Sequence, residues 1–355
     1  METNGFPGQS KIITALASAL VLCANARAQV TNRASETRAI VVTGTRLSEK
    51  PIDQPYAFYR VTVDEIEQRI GRTVLDRLNY APGAFIQRTA PNQASPFIRG
   101  LTGEQTLLML DGVRFSHAMM RPGPNQYAAL IPGVSVNAMD VILGSSSSVT
   151  GSDGLTGALD YRLAPAGRGA DTVAGPWVNS RVDTGNGGTH ELGVDGVAGN
   201  LAYSIEYSAG MFHDRAGGED FRERVFAEDE DTYDEIPNTA YDEQAGGLRL
   251  AYHGGNNHFL ELDTGHTRQT DAPRPGGYAE NSRKPDRGYR YFDPQEFIYM
   301  HLRDWWDVGS PLVDRFQTTV WWHQFGEKQF RSSIRDMGTD SERIRVREFD
   351  DTLDA

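Results

Sequence analysis

Few side chains in this sequence stand where bond-making chemistry would need them. Gly151-Ser152-Asp153-Gly154 lacks the Gly-x-Ser-x-Gly order that raises a nucleophilic serine on a tight turn. Neither a helical His-Glu-x-x-His nor a phosphate-binding Gly-Lys-Ser/Thr loop occurs. Cys23 is the only cysteine, so no thiol pair is available for redox or metal chemistry. Glu228-Asp229-Glu230-Asp231-Thr232-Tyr233-Asp234-Glu235 offers many carboxylate oxygens to a hard cation. The ordered Asp/Gly spacing of a calcium loop is missing, however, and the run reads as a solvated acidic loop. His117 stands alone, as solvent-facing histidines usually do, with one ring nitrogen to offer as an axial ligand. The expectation is a protein that is not an enzyme and carries no resident cofactor or metal.

What recurs instead is backbone grammar. Ala39-Ile40-Val41-Val42-Thr43-Gly44 is a β-branched run with nothing beside it to form a core, suited to adding as a strand to another protein's sheet edge. Asp111-Gly112 is a hairpin-turn dipeptide, and a Ser- and Gly-rich loop runs from Gly144 to Gly157. Lys and Arg number 35 against 48 Asp and Glu, a net charge of −13 that argues against a nucleic-acid partner.

Four segments position these features. Lys11, the apolar run Ile12 to Leu22 and Ala26-Arg27-Ala28 have the order of an export signal cleaved after Ala28, giving residues 1–28 as a leader. Residues 29–50 form a polar N-terminus that carries the β-branched run. Residues 51–165 read as a small α+β unit: strands at Tyr56–Val63, Ala84–Gln87, Thr106–Leu110 and Val141–Leu143, with short helices opening at Asp64 and after Thr73. From 173 to 355 the pattern turns to period two. Leu201, Tyr203, Ile205 and Tyr207 share one face, and Ala202, Ser204, Glu206 and Ser208 share the other. Val178 and Val182, Leu260 and Leu262, and Phe316 and Val320 repeat the scheme. Ten-residue segments with one apolar and one polar face fit a transmembrane β-barrel, and a soluble sandwich gives the same alternation. Connection lengths favour the barrel: short links at 199–200, 254–257 and 307–310 alternate with long ones at roughly 214–244 and 270–295.

Three motifs in this order resemble the TonB-dependent outer-membrane receptors of Gram-negative bacteria. Ala39, Ile40, Val41, Val42 and Thr43 are similar to their TonB box. Ile98-Arg99-Gly100 followed by Leu110-Asp111-Gly112-Val113-Arg114 resembles their plug signature. Gly144 through Gly151 to Gly157 resembles the last plug strand and its glycine-rich turn. The family usually has Glu, Arg and Pro where Asp140, Leu143 and Ser145 stand, and commonly Tyr at Thr150. The missing arginine at 143 removes any plug–barrel salt bridge carried over to that position.

The resemblance implies a plug inside a barrel of about 22 strands, set in outer-membrane lipid. It implies import driven by TonB with ExbB and ExbD, and a ferric siderophore or haem as ligand. Ligand contact would come from the plug apices, with Arg88, Gln93, His117, Arg121, Asn125 and Tyr127 as contact residues and His117 as an axial haem ligand. Arg121–Tyr127, Asp271–Arg274 and Phe292–Gln295 are similar to segments of haem receptors. Cobalamin or saccharide import, and ligand sensing without import, are the alternatives. Sensing is disfavoured because the stretch from Ala28 to Ala39 is too short for a signalling domain. Only roughly eight barrel strands of about ten residues follow the plug, too few to enclose it. The chain is therefore expected to hold a full plug and the first part of a truncated barrel.

TonB pairing through a strand needs main-chain donors. Val41→Pro is expected to abolish ligand uptake by the full-length receptor while leaving ligand binding intact, measured as radiolabelled uptake against binding at the cell surface; uptake that survives the proline overturns the box assignment.

Overall fold

The computed structural model describes residues 57–62, 64–65, 71–116, 120, 123–124, 126–145, 152–170, 172–183, 187–216, 235–236, 239–254, 257–273, 287–310, 312–313 and 315–334. The leader, the TonB-box run, His117, Arg121, Asn125, Gly151 and nearly all of the acidic stretch 228–235 lie outside the described residues.

The first unit is built on a five-stranded sheet. Its strands are β1 (Ala57–Val61), β4 (Thr106–Leu110), β5 (Val113–Arg114), β6 (Val136–Leu143) and β7 (Gly157–Leu163), in the order β1-β6-β7-β4-β5. Only the β4–β7 pair is parallel. A separate hairpin joins β2 (Ala84–Ala90) to β3 (Gln93–Ile98). The helix expected after Thr73 is a 3-10 helix, Val74–Tyr80, whose Asp76 carboxylate accepts the Thr73 N–H at 3.1 Å. It stops before Ala81-Pro82-Gly83, as the proline requires. Asp111 and Gly112 have φ of 51° and 81°, the left-handed pair that a two-residue hairpin demands. Leu75, Leu78, Leu110, Met139, Val141, Leu159 and Tyr161 form the core.

The second unit is one antiparallel wall. It contains β8 (Gly175–Asp183), β9 (Gly187–Ala198), β10 (Leu201–Phe212), β13 (Tyr241–His253), β14 (His258–Thr270), β16 (Arg287–Asp307) and β17 (Arg315–Ile334), each paired with the next. Three two-residue strands accompany it: β11 (Arg215–Ala216) pairs with β12 (Glu235–Ile236), and β15 (Ala272–Pro273) adds to β16. Among the described residues seven long strands stand where roughly eight were expected of the chain. The wall also extends further than its apolar faces indicate. β13 begins at Tyr241 and β16 at Arg287, inside stretches read as loops. Polar residues there still pair main chain to main chain, and that ladder needs no apolar face once the strand has left lipid.

The faces are inverted relative to a soluble sheet. Ile205 is 54% exposed and Val320 57%, while Ser204 and Glu206 on the opposite face keep 1% and 4%. Exposed aliphatics over buried polar groups place lipid outside and the first unit inside. No described helix is long and apolar enough to cross a membrane.

Candidate functional site: the plug–barrel seam

A line of charges runs from the edge of the plug sheet into the wall. On β1, Arg60 holds Asp140 of β6 with two bonds, Nε to Oδ1 at 2.6 Å and Nη2 to Oδ2 at 2.8 Å. Across β7, Arg162 donates Nη1 to Asp160 Oδ2 at 3.0 Å, and its Nε lies 3.4 Å from Asp111 and 4.0 Å from Asp140. Asp160 also accepts the Gly112 N–H at 3.0 Å, which fixes the tip of the hairpin. Arg303 then reaches inward from β16. Its Nη1 contacts Asp111 Oδ2 at 2.7 Å, Glu261 at 2.8 Å and Asp263 at 2.9 Å, and its Nη2 donates to the Asp111 carbonyl at 2.9 Å. Asp111, Glu261 and Asp263 bring their oxygens close enough together to hold a cation, and the Arg303 guanidinium takes that place.

Burial pushes the Asp111 carboxyl upward, but Arg303 and Arg162 outweigh it and hold the group below the usual carboxylate range. At Asp160 burial wins. Arg162 draws it down only in part, Asp111 repels, and the carboxyl is pushed up to about 6.

A second clasp lies where the plug runs into the wall. Arg168 pairs with Glu206 of β10 and donates to the Val134 carbonyl at 2.8 Å. Arg249 of β13, 2% exposed, donates Nη2 to Glu206 at 2.6 Å and Nη1 to the plug carbonyl of Ser135 at 3.2 Å. Between the clasps the seam is aromatic: Phe115 meets Phe297 and Phe325 edge-on at 5.1 Å each.

Above the second clasp, a cavity of about 270 Å³ opens between plug and wall beside the β8–β9 turn. Arg72, Arg88, Arg181 and Arg215 line it, with Asp76 and Asp183. Arg72 is anchored to the His213 and Thr239 carbonyls at 2.8 Å each and lies over the Phe212 ring. Arg88 pairs with Asp76; burial, then repulsion from Arg215, brings it down to about 10. Arg181 pairs with Glu191. Four guanidinium groups against the Asp76 and Asp183 carboxylates leave the lining net positive, which favours an anion.

The expected residues divide accordingly. Arg88 lines the cavity; Gln93, at the start of β3, accepts the Thr89 hydroxyl at 3.1 Å. Tyr127 belongs to the buried core near Phe325 rather than to a ligand surface. Arg114 binds Ser152 and Asp153 and so ties the hairpin to the glycine-rich loop. Arg99 and Gly100 form a left-handed turn after β3, and Gly144 ends β6. At Gly157 a Cβ would lie 2.0 Å from the Ile142 carbonyl oxygen, so only glycine fits. Leu143, where the family has arginine, packs on the core, and the plug–barrel ion pairs stand elsewhere. Sequence reasoning missed Arg303, Glu261, Asp263, Arg249 and Glu206. Their signal was a charged residue on the polar face of a period-two strand.

A small α+β unit held by ion pairs to the polar face of a lipid-facing β-wall defines a plugged outer-membrane barrel. Residues 50–158 match the family model of the TonB-dependent Receptor Plug Domain. A vitamin B12 transporter BtuB of Photobacterium profundum is 29% identical over 56% of this chain and 31% of its own length. The iron-regulated outer membrane virulence protein of Vibrio cholerae is 25% identical over 82% of this chain and 43% of its own. The FrpB iron transporter from Neisseria meningitidis shares the fold with a TM-score of 0.61 at 14% identity, covering 77% of this chain and 41% of that one. Residues 50–158 carry the plug domain of the TonB-dependent receptors, the β-wall after it shares the fold of a solved iron transporter, and the chain spans less than half the length of these relatives.

Removing one partner of a buried pair leaves the others charged and unsolvated. Arg303→Met in the full-length receptor is expected to loosen the plug by about 3–5 kcal/mol, seen as a lower urea midpoint for plug release, with Arg303→Lys intermediate. Asp160 gives a pH signature. Its value in the folded plug, about 6, lies above the ordinary 3.8, so the folded plug binds that proton more tightly than the unfolded chain does. Stability should therefore rise as pH falls from 7 to 4, by an amount on the order of 2–3 kcal/mol, and Asp160→Asn should flatten the gain in urea titrations across that range.

Proposed function

We propose that the chain forms the plug and first barrel strands of a receptor that imports a scarce anionic ligand, a ferric siderophore or haem, across the outer membrane. The arginine-lined cavity carries this reading. It faces the end of the wall where the long connections lie, and it combines plug and barrel residues around one small volume. A ligand seated there touches both bodies at once, as a substrate that reports its arrival to the plug must. Arg88 and Gln93 join Arg72, Arg181 and Arg215 as contact residues, and the reading adds His117, Arg121 and Asn125, which lie outside the described residues.

In the same reading, residues 1–28 are an export leader, 29–50 carry the TonB box, 51–165 are the plug and 173–355 begin the barrel. Ala39 to Thr43 add as a strand to TonB, which ExbB and ExbD energise, and the pull parts the plug from the wall. The two clasps support this because they are polar. Ion pairs and hydrogen bonds can be exchanged for water during withdrawal, whereas an apolar seam of equal area would resist it.

Cobalamin is the second reading, favoured by sequence likeness to proteins named vitamin B12 transporters. The two separate on charge. In the full-length receptor, Arg181→Ala with Arg215→Ala should weaken binding of ferric siderophores or haemin by about 10- to 100-fold, the loss expected for a hydrogen bond to a charged group. Binding of cyanocobalamin should not change. Fluorescence quenching with each compound is the measurement, and tight binding of cyanocobalamin alone would replace the first reading with the second.

A further inference from the structure

Two histidines face each other in the seam. His301 on β16 and His323 on β17 keep 0% and 1% exposure, and their Nε2 atoms are 2.8 Å apart. The contacts fix both tautomers. Arg303 Nη2 lies 3.4 Å from His301 Nδ1 and can only donate, so that nitrogen is an acceptor and His301 carries its proton on Nε2. This proton is donated to His323 Nε2, which places the His323 proton on Nδ1. That Nδ1 is buried without a hydrogen-bond partner among the described residues. Both acceptor nitrogens are therefore occupied while the plug is seated. A further proton would have to break one of these contacts and set a second cation beside Arg303.

The plug closes the site. Phe115 lies 6.4 Å from the His323 ring and meets Phe297 and Phe325, which flank it. The charged and titratable groups around the pair are Arg303 and Tyr299 on β16, Glu261 and Asp263 on β14, and Asp111 on the plug. Once Phe115 and Asp111 leave with the plug, water reaches both rings, while Glu261 and Asp263 still balance Arg303.

We propose that His301 and His323 form a proton-binding site that is shut while the plug is seated and open when it is withdrawn, so that acid favours plug release. With an ordinary imidazole pKa of about 6.5 in the open state, going from pH 7.5 to 5.5 shifts the release equilibrium about tenfold per imidazole. The clasped state is fully favoured above that value and loses ground as pH falls through it. The proposal rests on the plug being the part that moves. It needs neither TonB nor a known ligand.

The test uses the full-length receptor with Cys23→Ser and a nitroxide on Leu155→Cys, an exposed plug position. Plug release at fixed urea is read from the spectrum at pH 7.5 and 5.5. Asp160 titrates in the same window, so the quantity compared is the ratio of release constants between wild type and His301→Gln/His323→Gln. That ratio should rise about 10- to 100-fold on acidification; an unchanged ratio overturns the proposal. If the double variant does not insert, His323→Gln alone keeps an acceptor for His301 and should lose about tenfold of the dependence. Equal dependence in that variant and wild type would also overturn it. A plug that stays bound at every urea concentration and pH would instead count against the moving-plug reading itself.

Discussion

Everything in this structure follows from the inversion of the wall. A sheet with aliphatics on its outer face and carboxylates and guanidinium groups on its inner one has no stable place in water. In lipid the outer face is satisfied; on the inner face Arg249 meets Glu206 and Arg303 meets Glu261 and Asp263, and each guanidinium has a further donor that needs an acceptor from the plug. The plug supplies polar partners to that face, and its apolar core is shared with Phe297, Tyr299 and Phe325 of the wall.

The clasps are not alike. At Arg303 one guanidinium gathers carboxylates from both bodies, so the wall binds the plug through charge of opposite sign. At Arg168 the connection between plug and wall supplies the cation and Glu206 the anion, and Arg249 adds a bond to a neutral plug carbonyl. The first clasp grips the hairpin that ends in Asp111-Gly112; the second grips the junction where the chain passes from plug to wall. The junction cannot travel far because it is continuous with β8. Strand β1, by contrast, is an edge strand that among the described residues pairs with β6 alone and is held there by Arg60 and Asp140. A pull on the N-terminal side can therefore take β1 from the sheet without breaking the β6–β7 or β7–β4 ladders.

The sequence displayed the fold more openly than the seam. Asp111-Gly112, the period-two faces around Leu201–Ser208 and the stops at Ala81-Pro82-Gly83 are local signals, and each stands where local physics puts it. Tyr241 and Arg287 show where such signals fail: above lipid, nothing in side-chain hydrophobicity marks a strand, and only main-chain pairing does. The cavity was glimpsed through Arg88 alone. Arg72, Arg181 and Arg215 come from segments far apart in the chain, and no spacing rule joins them. Tyr127 misled because an aromatic residue in a loop-like stretch carries no label for core or surface, and the ring packs inward near Phe325.

Leu143 shows why a motif's departure need not weaken the function it usually serves. An arginine there would have set a cation near the edge of the plug sheet, where Leu143 now packs on the core. The charge appears instead on the wall, at Arg303, and meets the aspartate of the plug signature itself. The attraction depends on opposite charges meeting at short range in a poorly solvated seam, not on which body carries which sign. Exchange of sign has a further consequence. Because the cation belongs to the wall, Glu261 and Asp263 keep a neutralising partner on the wall itself.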